Sequence, residues 1–163
     1  MRRSLMGCVP QLSRKNHTMQ TSTVASLYAG EILPTVAFEL LKSDRSAILV
    51  DVRTVPEWTF AGYPDLSSLD KAVIKLSWRL YPTMQINAEF VDQLAQEIPD
   101  PHTPILFLCK TGGRSLDAAI AMSAHGYTRC FNITFGFEGD IDEKNHRGSL
   151  SGWKAENLPW EQH

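Results

Sequence analysis

The sequence predicts an α/β domain with a mostly parallel central sheet and helices on both faces. Two short apolar runs, at residues 47–52 and 105–108, have the length and composition of strands buried on both faces. Segments of helical periodicity surround them. Strand and helix signals alternate through most of the chain, which is the order that right-handed crossover connections require.

Each element has its own reason. Pro34 suits the first turn of a helix, where its missing N–H is not needed, and Val36, Ala37, Leu40 and Leu41 then share one face. Residues 47–52 form the first buried strand. Pro56 opens a short helical turn through Glu57, Trp58 and Phe60. Residues 72–78 alternate, with Ile74, Leu76 and Trp78 on one side, and read as a strand. Asn87 is placed to cap a helix whose apolar face is Phe90, Val91, Leu94, Ala95 and Ile98, and Pro99-Asp100-Pro101 stops it. Residues 105–108 form a second buried strand. Residues 116–125 are rich in Ala and read as a helix closed by Gly126. Residues 129–134 make a third strand candidate.

The bulk properties bound the function. A chain of 163 residues suits one domain, and no internal repeat argues for two. The expected division is a tail at 1–28 and a domain at 29–163. The tail is basic and lacks an acid before Glu31. It reads as disordered, or as the result of a start placed upstream of Met19, in preference to a targeting peptide. The apolar stretch before Cys8 is too short for a lipoprotein signal. A net charge of −2 gives no reason to expect nucleic acid or an anionic membrane as partner. No apolar run approaches the ~18 residues of a membrane span. Three cysteines, Cys8, Cys109 and Cys130, do not make a disulfide framework, and no ligand spacing for zinc is present. A reducing, cytoplasmic setting without metal or cofactor is the expectation.

The chemistry concentrates in Cys109-Lys110-Thr111-Gly112-Gly113-Arg114-Ser115, which follows a buried strand and precedes a helix. Ligands of open α/β sheets bind outside the carboxyl ends of the strands, where this loop must lie. A thiol becomes a good nucleophile on deprotonation, and a helix N-terminus and nearby cations favour the thiolate. Gly112 and Gly113 allow the backbone to curl with successive N–H groups pointing inward, forming an anion nest. Lys110 and Arg114 add positive charge. The bland alternative is an inert strand-end cysteine followed by a tight turn. The convergence of glycines, cations and a helix start on one thiol favours the functional reading.

From these residues outward the chain resembles the rhodanese family over roughly residues 30–160. The loop is similar to the family's Cys-x-x-x-x-Arg active loop. Leu49-Val50-Asp51-Val52-Arg53 resembles its strand ending in Asp-Val-Arg, and Glu57-Trp58 its Glu-aromatic pair. Gly136-Phe137, Gly152-Trp153 and Leu158-Pro159-Trp160 resemble its closing segment. The resemblance implies a single-domain sulfurtransferase of the thiosulfate type. Cys109 would take a sulfane sulfur from a small donor as a persulfide and pass it to a thiophilic acceptor, cyanide or a thiol, including a protein thiol. The amides of Lys110, Thr111, Gly112, Gly113, Arg114 and Ser115 would hold the persulfide, Lys110 or Arg114 the anionic donor, and Asp51 and Arg53 would orient the loop. Gly62-Tyr63-Pro64-Asp65-Leu66 departs from the family's Gly-His-Ile-x-Gly-Ala, and the resemblance then implies an altered pocket wall on that side.

Other readings stand beside this one. A rhodanese module that senses persulfide or redox state while docked to a protein would also keep the thiol. A thiol phosphatase or arsenate reductase is disfavoured, because four residues separate Cys109 from Arg114 where the related loops have five. Asp51 is expected to be a structural carboxylate more than an acid or base, and Arg53 to form an ion pair. Cys130 is expected in the core, with a resolving thiol as the alternative. Trp78, Arg79 and Tyr81 are placed either near the pocket mouth or in packing roles. His125 suits a helix end, and residues 138–143 an acidic surface loop without calcium spacing.

Overall fold

The computed structural model describes residues 27–163. The expectations about residues 1–26, including Cys8 and Met19, lie outside the described residues. Tyr28 belongs to the folded body: its hydroxyl donates to Glu31 Oε1 at 2.8 Å, and its ring packs on the core.

A five-stranded sheet in the order β1-β8-β7-β2-β4 organises the domain, and every pairing in it is parallel. These strands are β1 (Gly30–Ile32), β2 (Ile48–Asp51), β4 (Ile74–Lys75), β7 (Ile105–Leu108) and β8 (Cys130–Ile133). Two small antiparallel pairs flank it. One joins β3 (Tyr63–Pro64) to β9 (Trp160–Glu161), the other β5 (Arg79–Leu80) to β6 (Gln85–Ile86). The helices are α1 (Pro34–Ser43), α2 (Val55–Ala61), α3 (Phe90–Glu97) and α4 (Gly113–Ala124).

β7 shows why its sequence is apolar throughout. Ile105 and Phe107 join one core with Phe90 and Leu94 of α3 and Ala118, Ala119 and Met122 of α4. Leu106 and Leu108 face the opposite core, with Ala37 and Leu41 of α1, Phe137 and Trp153. A central strand between two helical layers has no polar face, so alternation disappears. Each such side chain contributes about 1.5–3 kcal/mol by leaving water. The expected parallel α/β architecture with helices on both faces is therefore observed.

Several boundaries differ from the sequence reading. α4 starts at Gly113 and not near residue 116, because Gly112, at φ 114°, turns the chain directly into the helix. Val36 is exposed, while Ala37 and Leu41 carry the buried stripe of α1. α3 has Glu89 at its N-cap; Asn87 instead accepts the Glu89 N–H at 3.1 Å and donates to the Ser77 carbonyl at 3.2 Å, pinning the turn before the helix. The strand expected over residues 72–78 is regular only at Ile74–Lys75. Its pairing nevertheless continues through Leu76 N–H to Asp51 O and Trp78 N–H to Val52 O, and Ile74, Leu76 and Trp78 pack on one core as anticipated. β1, β3, β5, β6 and β9, of two or three residues each, carry too little pattern to be read beforehand.

Candidate active site

The site begins where β7 ends. Leu108 is the last residue of that strand, and its carbonyl accepts the Val52 N–H at 2.8 Å. Cys109 follows at the carboxyl edge of the sheet, 1% exposed, with its Sγ facing the start of α4. The Gly112 N–H donates to Cys109 Sγ at 3.0 Å. Ser115 Oγ lies 3.1 Å from the same sulfur.

The loop curls because its carbonyls are drawn away from its centre. Phe137 N–H donates to Cys109 O at 2.8 Å, and Glu138 and Gly139 N–H groups both donate to Lys110 O at 3.0 and 3.2 Å. The Gly112 carbonyl accepts from Asn132 Nδ2 at 3.0 Å. Gly136, at φ 63°, comes so close that a Cβ there would overlap the Cys109 and Lys110 carbonyl groups. With the carbonyls engaged, the N–H groups of Lys110, Thr111, Gly113, Arg114 and Ser115 make no hydrogen bond among the described residues. They are free to serve an anion at the N-terminus of α4. Of the two glycines, Gly112 makes the turn with its positive φ, whereas Gly113 already stands in helical backbone with open space where a Cβ would lie.

The cations behave differently from one another. Arg114 binds Glu57 in bidentate fashion, Nη1 to Oε2 at 2.8 Å and Nη2 to Oε1 at 2.7 Å, with side chains 18% and 21% exposed. Glu57 also accepts the N–H and hydroxyl of Thr54, closing the N-terminus of α2. Burial opposes ionisation of Glu57, but the Arg114 guanidinium and the Thr54 donors outweigh it and hold the carboxyl down at about 2. The guanidinium of Arg114 is thus committed to a partner, while Lys110 has no carboxylate partner among the described residues.

Asp51 and Arg53 lie behind the loop as a fully buried ion pair. Arg53 Nη2 meets Asp51 Oδ2 at 2.7 Å and the Gly62 carbonyl at 2.8 Å, and Arg53 Nε meets Asp51 Oδ1 at 3.0 Å. The guanidinium stacks over the Phe137 ring at 4.2 Å from its centroid. The expected ion pair of Arg53 is therefore internal to the Asp51-Val52-Arg53 segment. It supports the Gly62 corner and the Phe137 segment that ties down the loop.

Two alternatives can be decided. Cys130 pairs in register with Ile105, four residues back along β7 from Cys109. At about 3.3 Å per residue this puts the two cysteines at opposite ends of the strands, beyond disulfide reach. Burial pushes the Cys130 thiol up to about 11, so it is an inert core residue. Trp78 is a core side chain against Phe90, at 5.1 Å between centroids. Among the described residues no group of His, Cys, Asp and Glu could hold a metal ion. The acidic loop instead binds itself, Asp142 accepting the Lys144 and His146 N–H groups and the Ser149 hydroxyl. No described helix is long and apolar enough to cross a membrane.

Sequence reasoning missed Asn132, Glu31 and the loop-clamping role of Gly136. Asn132 sits mid-strand in β8, where a buried polar residue is a signal, though its partners lie far away in sequence.

The sequence model of one family, described as the STR4 middle domain, matches residues 30–163. An uncharacterized protein of Rickettsia conorii is 42% identical over 131 residues, which cover 80% of this chain and 95% of that protein. The crystal structure of Rv0390 from M. tuberculosis superposes with a TM-score of 0.77 at 43% identity, covering 83% of this chain and 99% of that one. A polysulfide-sulfur transferase homodimer from Wolinella succinogenes shares the fold at 21% identity, with a TM-score of 0.56 over 85% of this chain and 83% of that one. The fold is rhodanese-like.

Proposed function

The chain belongs to the STR4 middle-domain family, and on that premise we propose that it is a sulfurtransferase working through a persulfide on Cys109. The observation that carries the proposal is the cradle of Cys109: its sulfur accepts the Gly112 N–H, and five further amides of the loop and the start of α4 have no hydrogen-bond partner among the described residues. A second sulfur attached to Cys109 would bring its negative charge among those donors, where it needs no partner cation.

The steps balance without an added oxidant or reductant. The Cys109 thiolate attacks the outer sulfur of thiosulfate or a persulfide donor. The new S–S bond forms as the donor's bond breaks, and sulfite, or the donor thiolate, leaves with the electron pair. A thiophilic acceptor, cyanide or a thiol, then attacks the terminal sulfur and returns the thiolate. Lys110, which has no carboxylate partner among the described residues, meets the anionic donor, while Arg114 braces the loop through Glu57. The near-complete burial of Cys109 favours a small or extended donor that reaches into the loop.

The test is sulfur transfer from thiosulfate to cyanide by wild type and Cys109→Ser, with intact mass after thiosulfate alone. A gain of one sulfur atom by the wild type and thiocyanate from the wild type only is the expected result. Equal turnover by both proteins, or no sulfur gain with any sulfane donor, overturns the proposal.

A further inference from the structure

Ser115 has one hydroxyl proton and two neighbours that compete for it. Asn132 Oδ1 is 2.6 Å away and Cys109 Sγ is 3.1 Å away. The orientation of the Asn132 amide is not arbitrary. Its Nδ2 lies 2.9 and 3.1 Å from the two carboxylate oxygens of Glu31 and 3.0 Å from the Gly112 carbonyl. All three are acceptors, so the NH2 group must face them and the oxygen must face Ser115. Glu31 is in turn anchored by the Tyr28 and Thr134 hydroxyls.

We propose that Asn132 is a positioning residue that draws the Ser115 proton away from Cys109 and so sets the acidity of that thiol. With the proton on the Asn132 side, Ser115 presents lone pairs to the sulfur. That arrangement accepts an S–H and disfavours a thiolate. When Cys109 ionises or carries a negatively charged sulfur, the hydroxyl turns to donate to it, and Asn132 Oδ1, 3% exposed as a residue, loses its donor. The cost of that loss works against ionisation. Ser115 is thus a two-position switch, and Glu31 and Asn132 bias it toward the resting thiol.

Other charges face Cys109. Arg114 of α4 lies near enough to interact with it and is paired with Glu57 of α2, and the Asp51–Arg53 pair closes β2 behind the loop. None of them changes in the variants below. The inference rests on Cys109 being the reacting thiol, but it is read by a property that does not need sulfur transfer.

The experiment follows the iodoacetamide alkylation rate of Cys109 against pH by peptide mass spectrometry, in full-length protein. Asn132→Leu removes the competitor, and the alkylation midpoint falls by about one pH unit, with an about tenfold faster rate at neutral pH. Ser115→Ala removes the donor to the thiolate and moves the midpoint upward. In the Ser115→Ala background, Asn132→Leu changes the rate less than about twofold, because no proton is left to redirect. Glu31→Ala, at an exposed strand-edge position, releases the Asn132 amide and provides the same test should Asn132→Leu not fold. Its effect must shrink in the Ser115→Ala background, leaving only the effect of the lost charge. An unchanged or raised midpoint in Asn132→Leu, or an equal shift with and without Ser115, overturns the proposal. Sulfur gain is scored in parallel: failure of the wild type to gain sulfur, with the coupling intact, removes the proposed activity and leaves the role of Asn132 standing.

Discussion

Arg114 and Glu57 join the Cys109 loop to α2 through two parallel hydrogen bonds of 2.8 and 2.7 Å. The residues are 57 positions apart in sequence, and each stands at a helix start. The pair makes Arg114 a brace of the loop, and its consequences are measurable.

Because the folded-state carboxyl of Glu57 sits near 2, below its ordinary 4.5, its contribution to stability is present above about 4.5 and is lost as pH falls toward about 2. After allowance for solvent screening, Glu57→Gln is expected to cost about 1–2 kcal/mol at neutral pH. That difference shrinks as wild type is taken down through this window. Urea denaturation of both proteins across the acid range measures it; parallel curves would show that the pair contributes nothing.

The Asp51–Arg53 pair predicts a larger effect. Asp51→Asn leaves the Arg53 cation fully buried without its counter-ion, with an expected loss of about 3–5 kcal/mol. Adding Arg53→Met should recover part of that loss, since both charges are then gone. Denaturant midpoints of the single and double variants decide the matter, and a double variant no better than Asp51→Asn would contradict it.

Gly136→Ala should damage the loop and not only the local turn. At φ 63° any side chain is strained, and this Cβ would overlap the Cys109 carbonyl. We expect at least about a tenfold slower gain of sulfur from thiosulfate, together with a destabilisation of about 1–3 kcal/mol. Intact mass over time and thermal unfolding report the two effects. Wild-type sulfur loading in this variant would show that the Phe137 segment does not shape the loop.

Cys130→Ala separates the two described cysteines. Burial keeps the Cys130 thiol protonated up to about 11, so native alkylation at mildly alkaline pH should label Cys109 and spare Cys130. The variant should keep sulfur transfer within about twofold of wild type and lose about 1 kcal/mol of stability. Rapid labelling of Cys130, or loss of turnover, would return it to consideration as a second reactive thiol.

The alternating strands and helices, the β7–loop–α4 unit and the candidate nucleophile could all be read from the sequence. Their signals are local: an unbroken apolar strand, two glycines, a cation and a helix start lie within consecutive residues. The Thr54–Glu57 cap has the local spacing of a capping box for the same reason. Short strands such as β1 and β9 escaped because two or three residues carry no period to detect.

The sequence by itself determined the order of the elements, the position of Cys109 at a strand end and the presence of Gly112, which turns the loop into α4. The tertiary structure alone decided what each polar side chain is for. In the sequence Arg114 is a cation beside Cys109, and the fold gives it Glu57 as a bidentate partner; Asn132 is one polar residue in a strand, and Glu31, 101 positions away, orients its amide. A backbone conformation follows largely from neighbours in the chain. A hydrogen bond or ion pair depends on which atoms the fold brings within about 3 Å, and that distance is set by packing the whole domain.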